Sequence, residues 1–321
     1  MGDADATSGS APPRPISVIC GPTAAGKSVL ALALAEREGL AIVSADSRQV
    51  YRGFDVGTAK PTAAERARVP HFGIDVVDPT SRYSAARWAS DAEGWIAEAV
   101  AAGREPIVVG GTGLYLRALF SPLHDAPALD EERRRTLESE LARLSTADLR
   151  RWCEQLDPAR AHLGRTQLLR SVETALLTGR RLGDVHREAA RAARYAARYL
   201  VVSPEPAVLA GRIERRVGAM LDAGWVDEVR ELEQRLPPDA PAWTASGYGT
   251  VRRLAAGEIT RDEAARAIMI ETRQYAKRQR TWFRHQLGGG GAVTQVDPDD
   301  ARAADVVAAW WSEGGRTRSD A

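Results

Sequence analysis

The sequence has few cysteines and lysines, and it contains no long hydrophobic run. Its two cysteines, Cys20 and Cys153, are too few for a disulfide framework or a cysteine-rich metal site. Its apolar runs are all shorter than the roughly 20 residues that a membrane-spanning helix needs. The first 15 residues are small and polar, without the basic start and apolar core of a secretory signal. We therefore expect a cytoplasmic protein with no membrane contact and a disordered lead over residues 1–15.

The scarcity of lysine stands beside an abundance of arginine. Of the 44 basic residues only three are lysines, at Lys27, Lys60 and Lys277. A retained lysine indicates a position that prefers a compact ammonium group to a planar guanidinium. The net charge is only +1, yet arginine outnumbers acidic residues in 133–198, and cations outnumber them in 271–285. Two interpretations stay open for these regions, a surface that binds a polyanion and a pair of solvated helix faces.

Short apolar runs alternate with helical patterns along much of the chain. Four of these runs are predicted strands: Ile16–Cys20, Leu40–Ser44, Pro106–Val109 and Leu200–Ser203. Such alternation is typical of a parallel sheet with helices on both faces. From about residue 130 to residue 199 the pattern is helical only, which indicates an insertion into the sheet domain. Near the C-terminus, a helix is predicted to begin with an N-cap at Thr260, and residues 288–291 are a predicted flexible break.

A phosphate-binding loop follows the first predicted strand. Between this strand and the following predicted helix, two glycines, a lysine and a serine have the spacing of a P-loop. Loop amides and the helix N-terminus can hold phosphate oxygens, the lysine adds a positive charge, and the serine can bind Mg²⁺. The predicted diphosphate-binding or nucleotide-binding residues are Gly21, Pro22, Thr23, Ala24, Ala25, Gly26, Lys27 and Ser28, with Ser28 also the predicted Mg²⁺ ligand.

These features predict an α/β fold with a P-loop NTPase-like parallel sheet, helices on both faces and a mainly helical insertion domain. The predicted boundaries are a lead at 1–15, the first part of the core at 16–125, the insertion at 126–199, the second part of the core with C-terminal helices at 200–312, and a tail at 313–321.

Two polar residues follow the second and third predicted strands. Asp46 comes after Leu40–Ser44, and Thr112 comes after Pro106–Val109. Because parallel strands end at a shared edge, we expect both residues to lie beside the P-loop. The third strand ends in Gly-Gly-Thr and not in the aspartate with which nucleotide hydrolases hold their metal ion. Asp46 could also be an N-cap or turn residue without a chemical role.

Several segments of the chain resemble tRNA dimethylallyltransferases, in the order in which that family has them. They are GPTAAGKS, SADSRQVYRGFDVGTAKPT, HFGIDVVDP with YSAARW, VGGTGLYLRAL, GWVDEV and TRQYAKRQRTWFR, between about Ile16 and Phe283. The resemblance implies transfer of a dimethylallyl group from dimethylallyl diphosphate to the N6 amine of the adenosine just 3′ of the tRNA anticodon. Pyrophosphate leaves, Mg²⁺ is the cofactor, and we expect a monomer.

The resemblance also assigns roles to individual residues. Asp46 is the expected general base, Thr112 lies near the bridging oxygen of the donor, and Arg216 contacts the diphosphate, with Arg212 as the alternative. The residues expected to bind tRNA are Asp46, Ser47, Arg48, Gln49, Thr112, Arg134, Gln167 and Arg170. The chain departs from the family pattern at 164–173, where Gln167 replaces a common arginine and an upstream aspartate is absent.

Two other functions remain open from the residues alone. A P-loop kinase or prenyltransferase that acts on free adenine nucleotides would explain the loop but leave the basic insertion without a use. An ATP-gated RNA-binding module without covalent chemistry would explain the charge, but not the placement of Asp46 and Thr112 beside the P-loop.

Overall fold

The computed structural model describes residues 13–121, 131–188, 194–287 and 292–319. Most of the predicted lead and the predicted break at 288–291 therefore lie outside the described residues. The chain divides into two units, one formed by Met1–Phe120 with Ala193–Ala321 and the other by Ser121–Ala192. The larger unit contains the sheet, and the smaller unit is helical.

A parallel sheet with the strand order β3-β2-β4-β1-β5-β6 is the centre of the larger unit. Its strands are β1 (Arg14–Cys20), β2 (Ala41–Ser44), β3 (His71–Phe72), β4 (Pro106–Gly110), β5 (Tyr195–Val202) and β6 (Ala292–Val296). From β1 the chain continues to β2 on one side of the sheet order, and from β4 it continues to β5 on the other side. The loops that follow these two neighbouring strands therefore separate and leave a crevice at the carboxyl edge. The predicted parallel α/β fold is confirmed.

The described helices complete the two units. They are α1 (Lys27–Glu38), α2 (Ala63–Arg68), α3 (Ala85–Ala101), α4 (Gly113–Phe120), α5 (Glu131–Ala142), α6 (Thr146–Leu156), α7 (Arg165–Thr178), α8 (Leu182–Glu188), α9 (Pro206–Asp222), α10 (Trp225–Glu233), α11 (Tyr248–Ala255), α12 (Arg261–Gln286) and α13 (Ala303–Ser319). Within the described ranges, no helix is both long enough and apolar enough to cross a bilayer.

Both faces of the sheet are buried because its strands are apolar at successive positions. On one face, Ile19 and Ile107 share a cluster with Leu34 of α1 and Trp310 of α13. On the other face the strands contact α3 and α4, and the buried Trp88 of α3 donates its indole N–H to the backbone of β2. Strands buried on both faces read as continuous apolar runs, which is why the sequence pattern revealed them.

Three helices start with reciprocal capping boxes. At Thr62, Ser145 and Thr260, the hydroxyl accepts the amide N–H of the residue three positions later, whose carboxylate accepts the N–H of the cap. The predicted N-cap at Thr260 is therefore confirmed. The box fixes the first turn of α12, the 26-residue helix whose later turns reach the crevice.

The smaller unit has its own apolar core. Leu149 and Cys153 of α6 pack with Leu168 and Val172 of α7. Its buried Asp157 accepts the Gly183 amide and lies 3.9 Å from the Arg160 guanidinium, so this carboxylate is compensated by donors.

The sheet is longer than the apolar pattern predicted. β1 begins at Arg14, inside the predicted lead, and β5 begins at Tyr195, inside the predicted insertion, because Arg14 and Tyr195 pair in register. Alanine and arginine in Tyr195–Tyr199 favour helix locally, and strand pairing overrides that preference. The two-residue β3 was not predicted. α13 continues to Ser319 through the predicted tail, although glycines such as Gly314 weaken helices.

Candidate active site

Three loops meet at the carboxyl edge of the sheet. They follow β1, β2 and β4 and consist of residues 21–26, 45–62 and 111–112. A cavity of about 260 Å³ lies among them. Its polar lining comes mostly from these loops and from α1, α9 and α12, with further polar residues from α2, β2 and β3. It includes Lys27, Ser28, Asp46, Arg216, Tyr275 and Gln279. The sequence predicted that the P-loop and Asp46 would meet here, and the structure brings them together.

The loop after β1 has the backbone that a phosphate cradle needs. Gly21 has a φ of 147°, and a Cβ there would lie 2.2 Å from the carbonyl oxygen of Val202, so only glycine fits. Lys27 begins α1, and its ammonium donates to the Pro22 carbonyl at 2.6 Å. Of the predicted cradle, Gly21, Pro22 and Ala25 are buried, Thr23, Ala24, Gly26 and Lys27 are half-buried, and Ser28 is exposed.

One amide of the predicted cradle already has a protein partner. The backbone N–H of Thr23 donates to the side-chain oxygen of Gln279 at 2.8 Å. In this conformation the Thr23 amide is therefore not available to a diphosphate, and the cradle has to use its other amides. The contact of Thr23 with the ligand stays a prediction, and its amide would have to leave Gln279 to make it.

Two cations face the cavity, and the charge of one carboxylate, Asp46, acts on both. Burial and the charge of Arg216 lower the pKa of Lys27 to about 8. Burial also lowers the pKa of Arg216, and Asp46 opposes both shifts. Lys60 and Glu65 also line the cavity, but Lys60 is paired with Asp55 and Asp75, and the Glu65 carboxylate is used in the capping box of α2. Lys27 and Arg216 are thus left with Asp46 as the carboxylate that acts on both. An anionic ligand would balance the remaining positive charge.

The two candidate arginines of α9 differ in what they contact. Arg212 donates to the Ala25 carbonyl at 2.9 Å and pairs with Asp299 at 2.6 Å, so it ties the back of the P-loop to the segment after β6. Arg216 makes no ion pair closer than 4.0 Å with the described residues, and it lines the cavity. This difference favours Arg216, which the sequence analysis also preferred, as the ligand-facing arginine.

Asp46 is held by the loop that it begins. One carboxylate oxygen accepts the amides of Arg48 at 2.8 Å and Gln49 at 3.3 Å, which is an Asx turn. The turn interpretation is thus correct for that oxygen. The second oxygen has no hydrogen-bond partner among the described residues, and Asp46 lines the cavity. The same carboxylate can therefore fix the loop and accept a proton.

Thr112 connects the loop after β4 to the loop after β2. Its hydroxyl oxygen accepts the Ser47 amide at 3.0 Å, and its own amide donates to the Ala45 carbonyl at 3.1 Å. Tyr275 of α12 lies near Thr112, and burial raises the pKa of Tyr275. Thr112 thereby lies beside Asp46, as predicted.

Two residues expected to bind tRNA make contacts within the protein. Gln49 donates its amide N–H groups to the Thr58 and Ala59 carbonyls, which closes the loop after β2. Arg48 donates to the Thr244 hydroxyl at 2.8 Å. Through these contacts both residues stabilise the loop after β2. Their contact with RNA stays a prediction.

A second, smaller cavity of about 80 Å³ adjoins the first. Its walls are mixed: apolar side chains of Ile213, Val217, Met220 and Trp225 form one part, and polar residues form the rest. Four residues line both cavities: Thr23, Asp46, Arg216 and Tyr275. Two ligands that occupied the two cavities would therefore meet beside Asp46 and Arg216.

Glu228 of α10 clamps the far end of the loop after β2. Its carboxylate accepts the amides of Asp55 at 2.8 Å, Val56 at 2.6 Å and Gly57 at 3.4 Å. It also accepts the Tyr248 hydroxyl at 2.7 Å, and this contact together with burial strongly raises the pKa of Tyr248. The loop that carries Asp46 is therefore fixed at both ends.

The smaller unit gives different positions to its three predicted tRNA-binding residues. Arg134 pairs with the buried Glu173 at 2.8 Å, which gives it a structural function inside the unit. Gln167 and Arg170 are exposed and lie three residues apart on α7, so they share one face. Of the three, Gln167 and Arg170 are the ones placed to meet a polyanion, and these roles remain predictions.

The sequence analysis did not identify Gln279, Tyr275 or Glu228 as parts of the site. Glu228 lies in the run GWVDEV, and Tyr275 and Gln279 lie in the run TRQYAKRQRTWFR. The sequence analysis noted both runs as parts of the resemblance but assigned no role to these three residues. Hydrogen bonds across 168 or more residues, such as those of Gln279 and Glu228, leave no periodicity in a sequence.

Family models match most of the chain. The model of the IPP transferase family matches residues 49–286, and a model described as isopentenyl transferase matches residues 14–71. Together they span the P-loop, the loop after β2, the smaller unit and α12.

Curated relatives match over nearly their full length. A tRNA dimethylallyltransferase from Anaeromyxobacter sp. (strain Fw109-5) is 46% identical over 291 residues, which cover 88% of this chain and 96% of the relative. One from Halorhodospira halophila is 46% identical over 283 residues, with coverage of 86% and 91%.

Solved structures are similar as well. The tRNA isopentenylpyrophosphate transferase of Bacillus halodurans is 32% identical with a TM-score of 0.65, and the match covers 96% of this chain and 100% of that one. A eukaryotic dimethylallyltransferase acting on tRNA is 24% identical with a TM-score of 0.78, covering 95% and 80% of the two chains, and it supports the fold.

We predict that Glu228→Ala lowers the free energy of unfolding by roughly 3 kcal/mol, because three loop amides and the Tyr248 hydroxyl lose a charged acceptor. Urea denaturation measures the change. Glu231→Ala is the matched control, since it lies on the same helix in an exposed 3.6 Å pair with Arg235 and should change stability by less than about 0.5 kcal/mol. Equal losses in the two variants would contradict the clamp.

Proposed function

Since this chain belongs to the IPP transferase family, we infer that it transfers a dimethylallyl group from dimethylallyl diphosphate to tRNA. The acceptor is the N6 amine of the adenosine just 3′ of the anticodon, and pyrophosphate is released. The observation that carries this proposal is the meeting of Lys27 and Arg216 with Asp46 at the boundary of two adjoining cavities.

The donor diphosphate belongs beside Lys27 and Arg216. When the allylic carbon–oxygen bond breaks, negative charge grows on the leaving diphosphate. Two cations in a partly desolvated site stabilise that charge more than they would in water. The remaining amides of the P-loop and the start of α1 add fixed dipoles of the same sign. This arrangement favours departure of pyrophosphate and leaves its phosphorus atoms untouched.

The acceptor nitrogen belongs beside Asp46. An exocyclic adenine amine is a poor nucleophile because its lone pair is delocalised into the ring. As its nitrogen bonds to the allylic carbon, one N–H proton must leave, and the free oxygen of Asp46 takes it. The Asx turn holds that carboxylate in place, so little reorganisation accompanies the proton transfer. Tyr275 lines both cavities near the reacting atoms, and Thr112 supports the backbone next to Asp46 through the Ser47 amide.

The nucleotide must leave its stack to reach this position, because the carboxyl-edge cavity is recessed between loops. We assign the smaller unit, which includes the predicted insertion, to binding of the anticodon stem-loop. The exposed Arg170 and Gln167 support this assignment, whereas the pairing of Arg134 with Glu173 favours a structural role for that arginine.

The residues present fit Mg²⁺ in part. The ion takes oxygen ligands and is usually held by one or two protein groups together with phosphate oxygens. Ser28 and Asp46 supply a hydroxyl and a carboxylate to one cavity. No group of three His, Cys, Asp or Glu side chains suited to a metal occurs in the described ranges, which leaves the rest of the coordination to the donor. Ser28 would hold the ion, whose chemistry is to neutralise diphosphate charge.

The monomeric state and the cytoplasmic location remain predictions. The location follows from the proposed substrate, since tRNA is modified where it is used. The two alternatives, a transferase for free adenine nucleotides and an ATP-gated RNA-binding module, are not favoured, because the similar proteins are tRNA dimethylallyltransferases.

A labelling experiment tests the function. The protein is incubated with radiolabelled dimethylallyl diphosphate and either unmodified tRNA, AMP or no acceptor. We expect label in tRNA only, on the adenosine next to the anticodon after nuclease digestion. Label in AMP, or phosphoryl transfer from labelled ATP to AMP, would instead support the alternative enzymes.

We predict that Asp46→Asn lowers kcat at least about a hundredfold, because the amide cannot accept the proton. Its carbonyl oxygen can still accept the amides of Arg48 and Gln49, so the loop and the affinity for tRNA should persist. Single-turnover kinetics and a tRNA-binding assay measure both. Asp227→Asn, at an exposed position of α10, is the control. A variant that lost tRNA binding but modified captured tRNA at the normal rate would exclude the base assignment.

Donor affinity should fall as pH rises above 8. Lys27 has a pKa of about 8 in the free protein, and a bound diphosphate raises it. Below pH 8, Lys27 is charged in both the free protein and the complex, and the affinity for the donor is highest. As pH rises from 8 towards the pKa of the complex, binding must be accompanied by protonation of Lys27, so the affinity falls. We expect roughly tenfold weaker binding of dimethylallyl diphosphate at pH 9 than at pH 7, measured by calorimetry without tRNA. Lys27→Met should bind weakly with a flat profile. A flat profile in the unchanged protein would contradict this role.

A further inference from the structure

We propose that Gln279 is a positioning residue that locks the diphosphate cradle to the loop that carries Thr112. This inference rests on the proposed function. Gln279 is 7% exposed, and its side-chain amide is used at both ends. The oxygen accepts the backbone N–H of Thr23 at 2.8 Å, and the nitrogen donates to the carbonyl oxygen of Gly111 at 2.9 Å.

The fit around this amide is tight. A Cβ on Gly111 would lie 2.4 Å from the Gln279 nitrogen, so the loop after β4 has a glycine where α12 approaches. One turn earlier on the same helix face, Tyr275 lies near the next loop residue, Thr112, and lines the cavity. The hydrogen bond from Gln279 to the Gly111 carbonyl therefore ties α12 to this loop beside the cavity.

Only a primary amide suits the pair of partners. The Thr23 N–H needs an acceptor, and the Gly111 carbonyl needs a donor. Asparagine is too short to replace glutamine, and a carboxylate would repel the carbonyl oxygen. Because the amide is buried, a side chain that satisfies only one partner leaves the other without a hydrogen bond.

The bridge matters because the two loops hold different parts of the reaction. The P-loop, beside Lys27, holds the leaving diphosphate. The loop after β4 places Thr112, whose hydroxyl oxygen accepts the amide next to Asp46. Sheet pairing fixes the two strands only as far as Cys20 and Gly110. Beyond that point, Gln279 sets the distance between the donor and the base, and an error of about 1 Å there can lower the rate about a hundredfold.

Gln279→Met tests the proposal, because methionine has a similar shape and neither hydrogen bond. We expect kcat to fall at least about tenfold, the KM for tRNA to stay within about threefold, and most of the thermal stability to persist. Amide hydrogen exchange at Thr23 should accelerate. Gln279→Glu should keep Thr23 protected through its remaining acceptor while kcat still falls. Gln274→Met, at an exposed position of α12, is the matched control and should change none of these quantities.

Two results would overturn the proposal. One is a folded Gln279→Met variant with the wild-type kcat. The other is a variant whose activity loss equals its loss of folded protein, since a merely structural residue lowers the amount of enzyme and leaves the kcat of folded molecules unchanged. Failure of the proposed function would differ from both, because the unchanged protein would then transfer no dimethylallyl group in the same assay.

Discussion

The excess of positive charge at the carboxyl edge of the sheet is the constraint around which the site is organised. Lys27 and Arg216 are both partly desolvated, and the charge of one carboxylate, Asp46, acts on both. Neighbouring cations such as Arg212 and Lys60 have oxygen partners of their own, so they do not add to the imbalance. A protein that maintains this imbalance lowers its own stability and gains affinity for an anion. A diphosphate that leaves with growing negative charge matches it better than a neutral ligand does.

Hydrogen bonds from polar side chains, two of them far away in the sequence, keep this arrangement in place. Glu228 holds the amides of 55–57, Gln279 holds the P-loop against Gly111, and Lys60 donates to the Tyr51 carbonyl inside the loop after β2. Each supporting group is polar and at least partly withdrawn from water, and each has partners that match its donors or acceptors. A group of this kind cannot be exchanged for an apolar one without leaving loop amides unsatisfied. The loops are therefore as well defined as the strands that they follow, which suits a reaction that needs fixed distances.

The sequence predicted the parallel sheet, the P-loop and the meeting of Asp46 with it, because each depends on local patterns and on a general property of parallel sheets. It did not predict that strand pairing would extend β1 and β5, since Arg14 and Ala196–Ala197 carry no apolar signal of their own. It also placed Arg134 on an RNA surface, whereas the structure pairs it with Glu173. A guanidinium has the same appearance in a sequence whether it meets a carboxylate or a phosphate. Only the tertiary contact separates the two cases.

The three lysines show how much the rarity of a residue type can predict about its positions. Lys27 and Lys60 sit in confined positions where a compact ammonium donates to backbone carbonyls, of Pro22 and of Tyr51. A planar guanidinium with five donors would not fit either position. Lys277 is exposed on α12 and shows no such constraint, so the rarity of lysine marks two positions and not the third. At Lys27 the choice has a chemical consequence. An ammonium whose pKa is lowered to about 8 carries most of its charge near neutral pH and gains the rest when the diphosphate arrives, whereas an arginine would be fully charged throughout that range.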